Sequence, residues 1–183
     1  MNKKNAIRKK YFLNRSKNYF AVKKNFFLSI IQILRKYKKK KLGLYYPTSY
    51  ELDILPIRDF EFQRKMKFLL PVVKSDFSMV FYEWSKKGLL LINRYGIPEP
   101  IKSKSKTVTP DIVLVPLLAF DKYKNRLGYG KGFYDKFLHN NNKMKKKIIS
   151  IGVAFSFQNY HKLPTNDYDY KLDYVITEKG IIR

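Results

Sequence analysis

The chain has no cysteine among its 183 residues, which excludes disulfides and thiolate metal ligands and leaves the redox compartment open. Histidine is almost as scarce. With only His139 and His161 present, a zinc centre would have to be completed by carboxylates, which argues against one. Long apolar runs are missing too: no stretch approaches the roughly 18 uncharged residues that a membrane-spanning helix requires. The best candidate, Asn25 to Leu34, is too short. It is followed by Arg35-Lys-Tyr-Lys-Lys-Lys-Lys41 and not by a small-residue cleavage site. Within it Phe27, Ile30, Ile31, Leu34 and Tyr37 recur at helical spacing, the pattern of an amphipathic helix lying on a core. An export signal is therefore not expected, and a cytoplasmic location is.

Acidic residues are also few, 14 against 39 lysines and arginines, for a formal net charge of +25. Such a balance invites a nucleic-acid partner, because lysines neutralise backbone phosphates and release counterions. The make-up of the charge points elsewhere. Lysine outnumbers arginine 31 to 8 and alanine occurs four times, while Asn, Ile, Phe and Tyr are abundant throughout. These residues belong to A/T-rich codons, whereas a phosphate- or base-reading surface would favour the planar fork of arginine. The charge is read as compositional drift on solvated faces, with no specific nucleic-acid partner and no membrane partner expected.

What the chain does possess is concentrated between Asp111 and Asp135. The apolar run Ile112 to Leu118 has the character of a strand buried on both faces. After Phe120-Asp121 comes Arg126-Leu-Gly-Tyr-Gly-Lys-Gly-Phe-Tyr-Asp135, which holds three of the eight glycines within five residues. Glycine permits positive φ and lets backbone amides approach a phosphate closely. Arg126 and Lys131 bracket the turn with cationic donors, and Asp135 places a carboxylate where a phosphate-bound Mg²⁺ could sit. The spacing is neither Gly-x-Gly-x-x-Gly nor a P-loop, since no Gly-Lys-Ser/Thr completes one.

Around this segment, helix is expected from about Lys4 to Tyr37 with a break near Asn14 to Lys17, and again over Asp53 to Lys67 with Pro56 in the first turn. Strands are expected at Leu42 to Tyr46, Phe68 to Val73, Ser78 to Trp84, Ile148 to Phe155 and Tyr174 to Thr177. A helix begins at Gly132 and runs to Leu138, and Asn140 to Lys147 reads as a surface loop. Phe81, Tyr82 and Trp84 are assigned to the core and Glu99 to a structural role. The alternation gives a single α/β domain over residues 1–183. It is a layered, largely parallel, Rossmann-like sheet with helices on both faces, its ligand site at the carboxyl ends of the strands.

At this point the residues resemble one family, 5-formyltetrahydrofolate cyclo-ligase, also called 5,10-methenyltetrahydrofolate synthetase. The resemblance is carried by the Pro116-Leu-Leu-Ala-Phe-Asp121 and Arg126 to Asp135 signature, by Gly96-Ile-Pro-Glu-Pro100, and by Ile151-Gly-Val-Ala-Phe155 with Gln158. Leu163 to Asp173, Glu51-Leu-Asp53 and Lys4-x-x-x-Arg8 add to it, in the family's order. It implies an ATP- and Mg²⁺-dependent cyclisation of 5-formyltetrahydrofolate to 5,10-methenyltetrahydrofolate by a monomer. Carried over residue by residue, Lys4, Arg8, Arg126, Leu127, Gly128, Tyr129, Gly130, Lys131, Gly132, Phe133 and Tyr134 would bind ATP. Lys131 and Arg126 would act on the transferring phosphoryl group. Thr48, Glu51 and Asp53, with Tyr129, Gly130 and Gly132, would contact the folate, and Asp135 and Asp169 the metal. Helix capping competes for Glu51, Asp53 and Asp135, and a turn role for Asp169.

One position departs from the family pattern. Lys124 stands where the family usually has glycine, so a left-handed backbone there would be strained unless Asn125 takes that conformation. The competing reading of the whole chain is a basic RNA-binding protein that reuses the fold without catalysis. A third is a small kinase or ligase acting on another formyl or amide substrate.

Overall fold

The computed structural model describes residues 3–38, 40–60, 66–101 and 106–183. Two helices open the chain, α1 (Lys3–Asn18) and α2 (Phe26–Tyr37). Strands follow at β1 (Lys41–Gly43), β2 (Lys67–Val73), β3 (Met79–Glu83), β4 (Leu90–Ile92), β5 (Pro98–Pro100), β6 (Ile112–Pro116), β7 (Ala119–Phe120) and β8 (Arg126–Leu127). Helix α3 (Phe133–Lys143) precedes β9 (Ile149–Val153), β10 (Tyr174–Thr177) and β11 (Gly180–Ile182).

The main sheet runs β11-β10-β9-β6-β1-β2-β3. Its inner pairs are parallel, and β3 and β11 close the edges antiparallel. The central strand β6 shows why both faces must be covered. Ile112 and Leu114 join a core with Phe27, Ile30 and Leu34 of α2, while Val113 and Val115 join a second core with Phe137 and Leu138 of α3. A period of two thus sends alternate side chains to opposite helical layers. The expected layered α/β sheet with helices on both faces is what forms.

Several boundaries differ from expectation. The first helix continues through Asn14 to Lys17 because its polar residues bond back into the helix: Ser16 Oγ donates to Leu13 O at 2.9 Å and Asn18 Nδ2 to Asn14 O at 2.9 Å. The break falls at residues 19–25 instead. The same device extends α3 into the presumed surface loop, where buried Asn141 donates Nδ2–H to Phe137 O at 2.9 Å. The helix expected over Asp53 to Lys67 is replaced by a 3-10 turn, Leu55–Asp59, with Pro56 in its first turn as anticipated, and by the start of β2. Residues 61–65 of that span lie outside the described residues. Phe81, Tyr82 and Trp84 are buried as expected, and Arg58 stacks 4.0 Å above the Trp84 ring. Glu99 is buried as well and accepts from Val73 N and Asn93 Nδ2, a structural role.

The β7–β8 hairpin is organised by Asp121, wholly buried, whose carboxylate accepts N–H bonds from Tyr123, Asn125 and Leu163 and from the Asn125 amide. Within it Lys124 adopts φ +67°, so the left-handed residue is Lys124 and not Asn125. A Cβ in that region costs about 1–2 kcal/mol, partly offset by the lower unfolded-state entropy of a non-glycine residue. Lys124→Gly is therefore expected to stabilise the chain by about 0.5–1 kcal/mol, a rise of roughly 2 °C in thermal midpoint. An unchanged or lower midpoint would reject the strain.

Candidate functional site

The carboxyl ends of β1 and β6 converge on the hairpin β7–β8 and the glycine-rich loop that follows it. Gly130 and Gly132 adopt φ +97° and +68°, and Gly132 immediately precedes α3. At Gly130 there is a second constraint: a Cβ would lie 3.2 Å from Arg8 Cζ. Glycine here satisfies both backbone conformation and close approach.

Arg126, at the foot of the loop, is held from two sides. Its guanidinium donates to Asp135 Oδ1 at 2.8 Å and to Tyr170 O at 2.9 Å, while Tyr170 N also donates to Asp135 Oδ1 at 2.9 Å. Burial lowers the Arg126 pKa, and the nearby charge of Asp135 opposes that most. Asp135 sits in the first turn of α3, but it is spent on Arg126 and not on capping the helix; Gly132 occupies the capping position.

Helix α1 crosses above this loop with Lys4, Arg8, Tyr11 and Arg15 on one face. Lys4 Nζ pairs with Asp169 Oδ2 at 2.5 Å. Arg8 Nε donates to Gly128 O at 2.9 Å, and Tyr11 OH to Asn159 O at 2.7 Å. Asp169 also closes the turn with Asn166, so the turn role anticipated for it is present alongside the ion pair.

Beyond the loop lies the segment after β1. Thr48 donates both its backbone N–H, at 2.9 Å, and its hydroxyl, at 3.2 Å, to Glu51 Oε2. Tyr129 OH donates to Glu51 Oε1 at 2.8 Å. Asp53 stands apart: its Oδ1 accepts from Leu55 N at 2.9 Å and starts the 3-10 turn. Ser49 and Tyr50 both have positive φ, +48° and +64°, local strain of a kind that collects at ligand sites. A cavity of about 380 Å³ opens here, lined by Tyr19, Tyr46, Thr48, Tyr50, Glu51 and Asp53. A somewhat larger one, about 460 Å³, lies at the opposite ends of the strands beside Lys41, Thr109, Asp111 and Lys146. Ligands of open α/β sheets bind at the carboxyl ends, which favours the first.

Burial raises the Glu51 pKa above its ordinary 4.5, against opposing contributions from Thr48, Tyr129 and Arg15. A carboxyl with a raised folded-state pKa gives its full stabilising contribution below 4.5 and loses it as pH climbs through the folded value. Glu51→Gln cannot titrate. Urea midpoints measured from acid to neutral pH should therefore show the unaltered chain losing stability relative to Glu51→Gln as pH rises; parallel curves would contradict this.

Most residues anticipated from sequence are brought together: Lys4 with Asp169, Arg8 with Gly128, Arg126 with Asp135, and Tyr129 with Glu51 and Thr48. Leu127 is buried, and its carbonyl accepts from Leu118 N. Phe133 packs against Tyr95, and Lys131 is exposed with its ammonium 5.8 Å from the Tyr95 ring. The Tyr134 hydroxyl is buried without a hydrogen-bond partner among the described residues. One site residue escaped the sequence reading. Arg15 is 1% exposed, and it donates to Leu117 O, Ser49 O and Tyr129 OH. Its only sequence signal is the 4, 8, 11, 15 spacing in a lysine-rich helix.

Among the described residues no group of three or more acidic, histidine or cysteine side chains could hold a metal by protein ligands alone. Mg²⁺ bound through nucleotide phosphates needs only one or two carboxylates. Both contacts of Asp135 fall on Oδ1, leaving its Oδ2 without a partner among the described residues, so this donor set fits a phosphate-borne cation.

Residues 1–178 match the 5-formyltetrahydrofolate cyclo-ligase family. The 5-formyltetrahydrofolate cyclo-ligase of Mycoplasma genitalium is 32% identical over 180 residues, 94% of this chain and 96% of the relative. That of Escherichia coli strain K12 is 35% identical over 137 residues, covering 72% and 74%. The NMR structure of Aquifex aeolicus 5,10-methenyltetrahydrofolate synthetase superposes with a TM-score of 0.74 at 30% identity, covering 98% of this chain and 92% of that one. The Mycoplasma pneumoniae 5,10-methenyltetrahydrofolate synthetase, at 24% identity and a TM-score of 0.71, shares the fold over 95% and 98%.

Proposed function

Because this chain belongs to the 5-formyltetrahydrofolate cyclo-ligase family and is a ligase of folate one-carbon metabolism, we propose that it couples ATP cleavage to closure of 5-formyltetrahydrofolate into 5,10-methenyltetrahydrofolate. Residues 1–183 act as one such domain, in the cytoplasm and as a monomer.

The formyl oxygen of an amide-like N-formyl group is a poor leaving group. Its attack on the γ-phosphorus breaks the bond to the β-phosphate oxygen and releases ADP. N10 then attacks the activated formyl carbon and gives up its proton, and the carbon–oxygen bond breaks as phosphate departs with that oxygen. No side-chain nucleophile is required; the demands are positioning and neutralisation of developing charge. Arg8, Arg126 and the amides of residues 128–132 orient the phosphates, with Lys131 as the cation at the transferring group. Thr48 and Glu51 orient the pterin, whose N–H groups donate to the carboxylate. Mg²⁺ would be held by Asp135, with Asp169 as a further ligand, and would neutralise phosphate charge.

The observation that carries this reading is the 2.8 Å bond from Tyr129, in the glycine-rich loop, to Glu51. A reaction in which one substrate's oxygen attacks the other's phosphorus needs the two subsites in contact, and this bond joins them. The test is absorbance of the methenyl product on mixing protein, 5-formyltetrahydrofolate, Mg²⁺ and ATP. An ATP-dependent rise is expected; a folded, ATP-binding chain that gives none would refute the proposal.

A further inference from the structure

We infer that Arg15 is a positioning residue for the folate-side carboxylate, holding Tyr129 and Glu51 as one hydrogen-bonded unit at the junction of the two subsites. The inference rests on the cyclo-ligase reading of that junction.

Arg15 belongs to a helix whose other cations are exposed or only partly buried, yet it is itself sealed from solvent. It ties three segments together: Leu117 O just past β6 at 3.3 Å, Ser49 O after β1 at 2.8 Å, and the Tyr129 hydroxyl of the glycine-rich loop. The polarity of this chain of bonds is fixed by chemistry. A guanidinium has no acceptor, so the Tyr129 oxygen accepts from Arg15, and its single proton goes to Glu51 Oε1. With Thr48 N and Oγ1 both donating to Oε2, every donor around Glu51 demands a carboxylate and not a carboxylic acid. One lone-pair direction, on Oε1, is left for a ligand N–H.

Among the groups that face Glu51, Arg15 is the one that brings positive charge. From the segment after β1 comes Tyr45, and from the loop and the start of α3 come Tyr129 and Tyr134. Burial raises all three phenols, so they remain neutral. The Thr48 and Tyr129 hydrogen bonds oppose the burial of Glu51 most, and Arg15, from α1, adds a cation and also holds the Tyr129 hydroxyl that makes one of those bonds. Removing Arg15 leaves the carboxylate desolvated with no counter-charge, and protonation then consumes the acceptor that the folate needs.

The experiment is kcat/KM for 5-formyltetrahydrofolate against pH at saturating ATP, for the unaltered chain, Arg15→Met, Arg15→Lys and Tyr129→Phe. In Arg15→Met the acidic limb is expected to move up by about one pH unit. Arg15→Lys should recover most of that shift, and Tyr129→Phe, which deletes the direct hydrogen bond to Glu51, should move the limb the same way. An unmoved limb in folded Arg15→Met, or equal proportional losses of kcat/KM for folate and ATP, would overturn the inference and leave Arg15 a purely structural tie. Should Arg15→Met not fold, an unmoved limb in Tyr129→Phe overturns it instead. No turnover from the unaltered chain overturns the cyclo-ligase reading and this inference with it, whereas turnover with an unmoved limb overturns the inference alone.

Discussion

Lys131→Ala is expected to lower kcat by about 10²–10³-fold while leaving thermal stability within roughly 0.5 kcal/mol of the unaltered chain. The separation follows from where this lysine stands. It lies between two glycines of positive φ on an exposed loop, with its ammonium 5.8 Å from the centre of the Tyr95 ring, a weak contact for a solvated ammonium. Other cations of the site are already committed: Lys4 to Asp169, and Arg126 to Asp135. Lys131 forms no salt bridge among the described residues, so its charge is available to a phosphoryl group in transit. In the proposed mechanism its deletion would remove charge stabilisation from the transition state and almost nothing from the folded ground state. Turnover at saturating ATP and 5-formyltetrahydrofolate, measured beside a thermal melt, distinguishes the cases. Unchanged turnover would remove Lys131 from the catalytic role and leave it an exposed lysine, one of 31 in the chain.

The sheet and the glycine-rich cradle were legible in the sequence because strong local signals coincide there. Ile112 to Val115 is apolar at every position, and only a strand packed on both faces tolerates that. The glycines of the loop carry their own requirement, since two of the three have positive φ. The short strands β4, β5, β7, β8 and β11 were not legible, being two or three residues long and too brief to display a period of two. Helix ends were misplaced wherever Ser or Asn side chains satisfied carbonyls inside the helix, as Asn18 and Asn141 do, because the same residues more often stop helices. Arg15 shows the deepest limit. In a segment with lysines at 3, 4, 9, 10 and 17, nothing local separates a solvated cation from a buried one. The acceptors that bury it come from residues 49, 117 and 129, distant in sequence and joined only by the fold.

Arg126→Met, in contrast to Lys131→Ala, is expected to cost both activity and stability. The Arg126 side chain is 5% exposed and its partner Asp135 25%, so the pair is largely withdrawn from water. Methionine fills much of the volume but strands Asp135 with only the Tyr170 amide, and leaves Tyr170 O without its donor. Breaking a buried pair from one side costs about 3–5 kcal/mol, and the partial exposure of Asp135 places this case near 3. That corresponds to a fall of roughly 6–12 °C in thermal midpoint for a chain of this size. Activity should fall about 10³-fold or more, since the same guanidinium fixes the foot of the loop and, in the proposed mechanism, would face the phosphates. A double variant separates the two losses. Arg126→Met with Asp135→Leu removes the orphaned charge, so most of the stability should return, because an apolar pair can replace a buried ion pair at little cost. Turnover should not return, since neither the cation nor the carboxylate proposed to hold Mg²⁺ is restored. Recovery of both in the double variant would mean that Arg126 and Asp135 serve the fold alone.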